Sequence, residues 1–295
     1  MPNNVTTSAD LFMPQVVGDH ATDILLQRDA MLRSRAVTVM PGDIWARGGN
    51  DKLDIPTFTT DLSDMVKAAV RDSRAGVDPE KVTMDSYQED VLSRVISIDA
   101  DSLALEDAPE YVQEHLSAII AERVSASIQA DLIAKAAGTS LELDITGETD
   151  KALTVDGLLR AKMKWGDYFG EAEPVAFLHP KQFEDLALTE DFKELGSAAT
   201  GSLVTVAAGA SPIAARVHGI DIVVLNGLPV TAGTPDKLTA LLCQPGALPF
   251  SIRKNPETHL IRHPGSAVVT LDTTFRWVST LARRQPRPVV KLITE

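Results

Sequence analysis

The sequence predicts an α+β fold in which helices precede and separate strands of antiparallel appearance. Three observations carry this. Ala108 to Gly138 reads as one unbroken helix, the stretches after it alternate between helical and strand periodicity, and the C-terminal part alternates residue by residue, with Val269, Leu271, Thr273, Phe275 and Trp277 on one face. With 295 residues, 44% of them hydrophobic, the chain is long enough to bury a substantial core. Aromatics make up only 5%, so that core is expected to be mostly Leu, Ile, Val and Ala.

Taken in order, roughly the first twenty residues are polar and lack periodicity, which predicts an arm without regular structure. "DILLQRDAMLRSRA" (Asp23–Ala36) then predicts a short helix with Ile24, Leu25, Met31 and Leu32 roughly on one side. Between Val37 and Asp101, "KLDIPTF" and "EDVLSRVISID" read as two strands; in the second, Leu92, Ile96 and Ile98 share a face interrupted by Arg94. The polar excursion between them holds a candidate helical piece, "DLSDMVKAAVRDSRAG", and the turn "VDPEK". It is far longer than a hairpin loop, and a polar two-stranded arm with so little core is expected to lie on a partner surface.

The long helix has its own signals. Asp107 is placed to N-cap it, Pro109 sits in the first turn where its missing N–H is harmless, Glu110 stands at capping-box spacing, and Gly138 follows the end. At 1.5 Å per residue the rod spans roughly 45 Å. Its larger apolar residues are Val112, Leu116, Ile120, Val124, Ile128 and Leu132, every fourth position. Four residues turn through about 400°, so the stripe drifts about 40° per step. A coiled-coil seam alternates steps of three and four, so this helix is expected to lie across several surfaces in turn rather than in a zipper.

After Gly138, "TVDGLLRAKMKWGDYF" predicts a helix, "PVAFLHP" a buried strand, "KQFEDLAL" a helix and "GIDIVVLNGLPV" a strand entering a turn. "KLTALLCQPGALPFSI", "HPGSAVVTLDTTFRWVSTL" and "PRPVVKLITE" follow as strand-rich segments. No internal repeat or low-complexity tract is visible.

The net charge is −13, against a surface built to grip nucleic acid along its whole length. The charge is uneven: from Ser251 onward eight Lys and Arg oppose three acids, +5 against −18 for the remainder. Such polarity suits contact between copies or a solvated face. Cys243, the only cysteine, rules out an intrachain disulfide and lies in the apolar "LTALLCQ", where a buried small side chain is expected. No signal peptide and no apolar run of about 20 residues is seen, so a cytosolic product without membrane spans is expected.

Candidate chemistry is thin. Phosphate-binding glycine loops and a nucleophile elbow are missing. His259 and His263 stand four apart in "HLIRH", but Pro256, Pro264 and Gly265 point to loop and strand, and no Cys or acid completes a metal site. "DADSLALED" (Asp99–Asp107) lacks the glycine and terminal glutamate of a calcium loop. His179, before Pro180 at a strand end, is the best single candidate for chemistry, with a hydrogen-bonded structural histidine as the preferred reading. The carboxylates offer no acid–base pair.

The order of parts resembles the major capsid proteins of tailed bacteriophages, with the Hong Kong 97-type shell fold. "VAFLHPKQFEDLAL" resembles that family's strand, Pro turn and helix; "HGIDIVVLNGLP" resembles one of its strands; "IRKNPETHLIRHPGSAVVTLDTTFRWVSTL" resembles its long closing strands. The resemblance implies an N-terminal arm at residues 1–36, an extended loop at 37–100, a peripheral domain with the spine helix at 101–152, an axial domain at 153–245, and a return to the peripheral domain at 246–295.

It also implies a non-enzymatic coat protein, without catalytic, cofactor-binding or metal residues, that assembles through pentamers and hexamers into an icosahedral shell around phage DNA. Its partners would be other copies of itself, a separate scaffolding protein, a portal and, in some relatives, a decoration protein, with double-stranded DNA contacted non-specifically at most and no membrane. Assembly would take place in the host cytoplasm and the product would be the virion capsid. Some relatives cross-link a loop lysine to a distant asparagine; Lys52 or Lys67 with Asn226 or Asn255 have no supporting surroundings, and cross-links are not expected. Removing Met1–Asp19 is expected to leave the subunit folded while impairing shell closure. Two other readings stand beside this one. One is an encapsulin-like compartment shell, against which the polar N-terminus speaks because such shells begin with a helix; the other is a soluble α+β enzyme using His179.

Overall fold

The computed structural model describes residues 14–40, 52–59, 83–101, 109–138, 141–147, 151–166, 173–192, 204–206, 212–262, 268–282 and 288–295. Asp107, Lys67, the candidate helical piece "DLSDMVKAAVRDSRAG", the turn "VDPEK" and His263 lie outside the described residues.

The first described element is a helix, α1 (Pro14–Arg28), where the sequence predicts a polar arm and a later, shorter helix. Val17, Ala21 and Leu25 recur every fourth residue and are buried against the long helix α2 (Pro109–Ala137). Isolated, such a polar stretch has weak helical preference; the apolar row decides only once a surface is there to receive it. Met31 and Leu32, assigned to the helix from the sequence, are buried in the turn after it. Val17 is fully buried and its carbonyl accepts a hydrogen bond from Ser117 at 3.2 Å. Removing Met1–Asp19 would therefore take a core residue with it, and the deletion is now expected to destabilise the subunit itself as well as impair assembly.

Helix α2 is 29 residues long, about 44 Å at 1.5 Å per residue. Leu116, Ile120, Val124, Ile128 and Leu132 of its stripe are buried and Val112 is half-buried, and the stripe drifts across successive partners as its spacing requires. Ser117 touches α1; Ser125 and Gln129 both donate to Asp29, just beyond α1, Gln129 at 3.0 Å. Asp131 accepts from Ser279 and, at 3.4 Å, from the Trp277 indole. The last turn, Leu132, Ile133 and Ala136, shares a core with Val223, Leu225 and Leu228.

Two sheets lie against this rod. The smaller has the order β1-β12-β13-β4, built from β1 (Val37–Val39), β12 (Leu248–Arg262), β13 (Val268–Ser279) and β4 (Leu92–Asp101). β12 and β13 form a long hairpin with register shifts around Lys254, and Pro256 falls in that irregular stretch, where a missing N–H disturbs no regular ladder. The alternating Val269, Leu271, Thr273, Phe275 and Trp277 are all buried, as their spacing predicts. The second predicted strand divides at Val91: β4 joins this sheet, while β3 (Thr83–Asp90) pairs with β2 (Lys52–Thr59) in a separate two-stranded hairpin.

The larger sheet has the order β5-β14-β11-β6-β9-β8-β7, with β10 (Val230–Thr231) also on β11. Its strands are β5 (Glu142–Asp144), β6 (Val175–Leu178), β7 (Val204–Val206), β8 (Ala215–Val217), β9 (Ile220–Val224), β11 (Lys237–Cys243) and β14 (Val289–Thr294). Period-two alternation sends Val175 and Phe177 into the core shared with α2, and Ala176 and Leu178 into a second core under helices α3 (Val155–Met163) and α4 (Pro180–Leu188). Strand β6 is thus apolar throughout because both faces are covered. His218 and Gly219, both at positive φ, make the two-residue turn joining β8 to β9.

One sequence expectation changes here. The strands are not uniformly antiparallel: β1 with β12, β5 with β14 and β6 with β9 run parallel. Periodicity encodes which face is buried, not strand direction. The last strand pairs with β11 and β5, so membership of the larger sheet spans Glu142 to Thr294.

Candidate functional site

The candidate residues for chemistry do not converge. His179 caps α4: its Nδ1 accepts from the Lys181 N–H at 3.3 Å while its own N–H donates to Gln182 at 3.0 Å. Gln182 is buried and donates onward to the Thr294 hydroxyl at 2.8 Å, tying the helix start to β14. His259 is an exposed strand residue on β12 opposite Asp272. Cys243 is fully buried in β11, and burial pushes its thiol well up, so it is a packing residue. Asp99 accepts from the Thr270 hydroxyl at 2.7 Å at the rim of the smaller sheet. Among the described residues, no group of three or more His, Cys, Asp or Glu is arranged to hold a metal, and no helix is long and apolar enough to cross a membrane.

Lys52 lies on β2 opposite Asp90, and Asn226 is exposed in the turn after β9. Of the basic C-terminal residues, Lys291 is held by Glu142 at 3.2 Å, so part of that charge is neutralised within the chain; Glu295 likewise pairs with Lys151 at 2.6 Å.

The geometry is instead that of surfaces and of the joint between two sheets. At the joint, Gln244–Ala247 crosses from β11 to β12, with Gly246 at φ +66° donating its N–H to the Arg35 carbonyl at 2.9 Å. Left-handed backbone favours glycine here, and a Cβ would stand 3.1 Å from the Thr38 hydroxyl. Beside it, Arg35 on the smaller-sheet side ion-pairs with Glu173 ahead of β6, and Glu173 also meets Arg216 of β8 at 2.5 Å. Arg216 reaches Asp221 of β9 at 3.2 Å. The Arg216 guanidinium, and secondarily Arg35, hold the Glu173 carboxyl below its ordinary range. Burial pushes Asp221 the other way, against the pull of Arg216.

A groove of about 510 Å³ opens between β4 and α2, with Arg94 and Val95 on the strand and Arg123, Ala126, Ser127 and Ala130 on the helix. From the sequence Arg94 only interrupts an apolar face, and Arg123 draws no notice. Val95 is 56% exposed. Separate exposed apolar side chains are Tyr111, stacked on His115, and Ile261 and Val268 near the end of β12 and the start of β13.

A 29-residue rod, a four-stranded sheet with a detached two-stranded hairpin, and a second sheet under two short helices define the Hong Kong 97-type capsid fold. The chain is similar in structure to the capsid of Ralstonia phage GP4, at a TM-score of 0.62 and 11% identity, covering 88% of this chain and 87% of that one. The head structure of Helicobacter pylori bacteriophage KHP40 aligns over 99% of this chain and 93% of that one, at a TM-score of 0.58 and 11% identity. For the Cyanophage Pam1 capsid the values are 0.57, 14%, 89% and 92%. No family model and no curated protein sequence matches the chain.

Proposed function

We propose that this chain is the major capsid protein of a tailed bacteriophage, assembling through pentamers and hexamers into an icosahedral shell around double-stranded DNA. The observation that carries the reading is the likeness to phage capsid chains along nearly the whole length, 99% of this chain in one case. In this reading the smaller sheet with α2 is the peripheral unit, the larger sheet the axial unit, β2–β3 the extended loop, and the residues through Ala36 the arm. Other copies are the main partners, with a separate scaffold, a portal and a decoration protein as further ones. Many modest contacts then hold the shell through multivalency rather than through one strong interface.

A second reading is an encapsulin-like compartment; the polar stretch that spoke against it is helical from Pro14 to Arg28, which weakens that objection. Negative-stain microscopy of the purified protein, alone and with its genomic neighbours, tests both. Closed particles or curved sheets of pentameric and hexameric tiles are expected, and DNA or protein contents separate virus from compartment. Small discrete oligomers under every condition would overturn the shell reading.

A further inference from the structure

We infer that the groove between β4 and α2 is a binding site for a phosphate-class oxyanion, held between the guanidinium groups of Arg94 and Arg123. The groove has a volume of about 510 Å³ and opens to solvent rather than closing into a cavity. Arg94 comes from the strand and Arg123 from the helix, so the two charges stand on facing walls. Ala126, Ser127 and Ala130 are small and leave room beside them.

The placement of the arginines is the first argument. Arg94 alternates with Leu92 and Ile96 on β4 and stands opposite the buried Phe275 of β13, on the strand face turned towards the core. An arginine there lays its stem along apolar surface and brings its charged head out to water, and the residue is exposed. Arg123 is exposed on α2 and lines the same space. Two cations sharing a groove repel, and a chain with 41 acids to 28 bases has ample means to neutralise them. Among the described residues neither arginine has a carboxylate partner, and no Asp or Glu lines the groove. At the joint between the sheets, by contrast, Arg35 and Arg216 are both paired with Glu173.

The hydrogen-bonding inventory selects the ligand. Arginine carries five N–H donors and no acceptor. The Ser127 hydroxyl already donates to the Arg123 carbonyl at 2.8 Å, while Ser97 presents an exposed hydroxyl. The charged lining therefore offers only donors, in planar forks that match phosphate oxygens. Forks on two walls need oxygens on two sides. A tetrahedral phosphate has them, whereas one fork occupies both oxygens of a carboxylate. Among the described residues no Asn, Gln or aromatic side chain lines the groove, so nothing there reads a base and binding is independent of sequence. Free inorganic phosphate and the phosphodiester backbone of nucleic acid both supply this chemistry. Only the second source, as packaged DNA, rests on the shell-subunit reading above.

The test uses the full chain at concentrations too low for assembly, with folding checked by circular dichroism. Inorganic phosphate is titrated by calorimetry, and a labelled DNA duplex of mixed sequence by fluorescence anisotropy. R94Q/R123Q is expected to weaken binding about tenfold or more, and to reduce the slope of log K against log salt for the duplex by about 1.8, one phosphate contact per arginine. R94K/R123K keeps the charge but loses the forks, and its affinity falls between the two. R262Q/R276Q removes the same charge from exposed residues that do not line the groove, and costs less than about threefold. Binding of either probe with this dependence supports the site, and the probe that binds identifies the source. No binding of either probe to the wild type, equal losses in the two Gln variants, or undiminished binding in R94Q/R123Q overturns the inference. An assembly defect in R94Q/R123Q with phosphate binding unchanged also overturns it, assigning the arginines to a contact between copies. Because binding is read on the unassembled chain, this result stands or falls separately from whether shells form.

Discussion

Asp29 is the residue through which the arm helix is fastened to the spine, and replacing it by alanine is a direct test of that fastening. It is buried, and its carboxylate accepts from the Leu32 N–H at 2.8 Å, from the Gln129 amide at 3.0 Å and from the Ser125 hydroxyl. The Leu32 contact caps the turn after α1, worth about 1 kcal/mol. The two side-chain contacts go to a charged acceptor, about 1.5–3 kcal/mol each in favourable cases. Ser125 and Gln129 are only half-buried, so water recovers part of that, and the three contacts do not add independently. Asp29→Ala is therefore expected to lower stability by about 3–5 kcal/mol. Over 295 residues the unfolding entropy is about 0.6 kcal/mol per degree, so Tm falls by about 5–8 °C. Urea unfolding of the unassembled subunit measures this. Ser125→Ala and Gln129→Ala should each account for only part of it. A loss under about 1 kcal/mol for Asp29→Ala, with the single partners equally silent, would refute the reasoning that this carboxylate holds α1 on α2.

Three further outcomes are expected. His179→Ala lowers stability by about 1 kcal/mol and His179→Asp recovers most of it, with assembly unaffected in both, because the residue caps a helix; a variant that folds and assembles but abolishes some catalytic turnover would point to the enzyme reading instead. Gly246→Ala costs about 1–2 kcal/mol from left-handed backbone, seen as a lower melting temperature, and an unchanged melting temperature would show that the crossing between sheets tolerates a side chain. Glu173 has its pKa lowered on folding, so its contribution is present at neutral pH and is lost as the pH falls through and below the ordinary carboxylate range. Asp221, raised by burial, acts in the opposite sense, its penalty relieved on protonation. Glu173→Gln should therefore shrink the drop in urea midpoint between neutral pH and a pH below the ordinary carboxylate range; an unaltered drop would show that the ion cluster does not couple the sheets.

The sequence by itself determined the long helix, its drifting apolar stripe and the strands of the C-terminal half. Those features are local: a four-residue spacing fixes which side of Leu116–Leu132 faces inward, and a two-residue spacing does the same for Val269–Trp277, whatever the partners are. It pointed to His179 as a hydrogen-bonded structural residue, and the structure added which bond: the cap on the Lys181 N–H. Only the tertiary structure decided that residues from Pro14 are helical, since Val17, Ala21 and Leu25 gain nothing from that conformation until α2 offers a surface. Only it placed β14 beside β5 and β11 and ran three strand pairs parallel, because neighbour and direction are properties of chain segments far apart in sequence. Arg94 and Arg123 share one groove for the same reason: 29 positions apart, they meet because a strand edge and a rod were packed side by side.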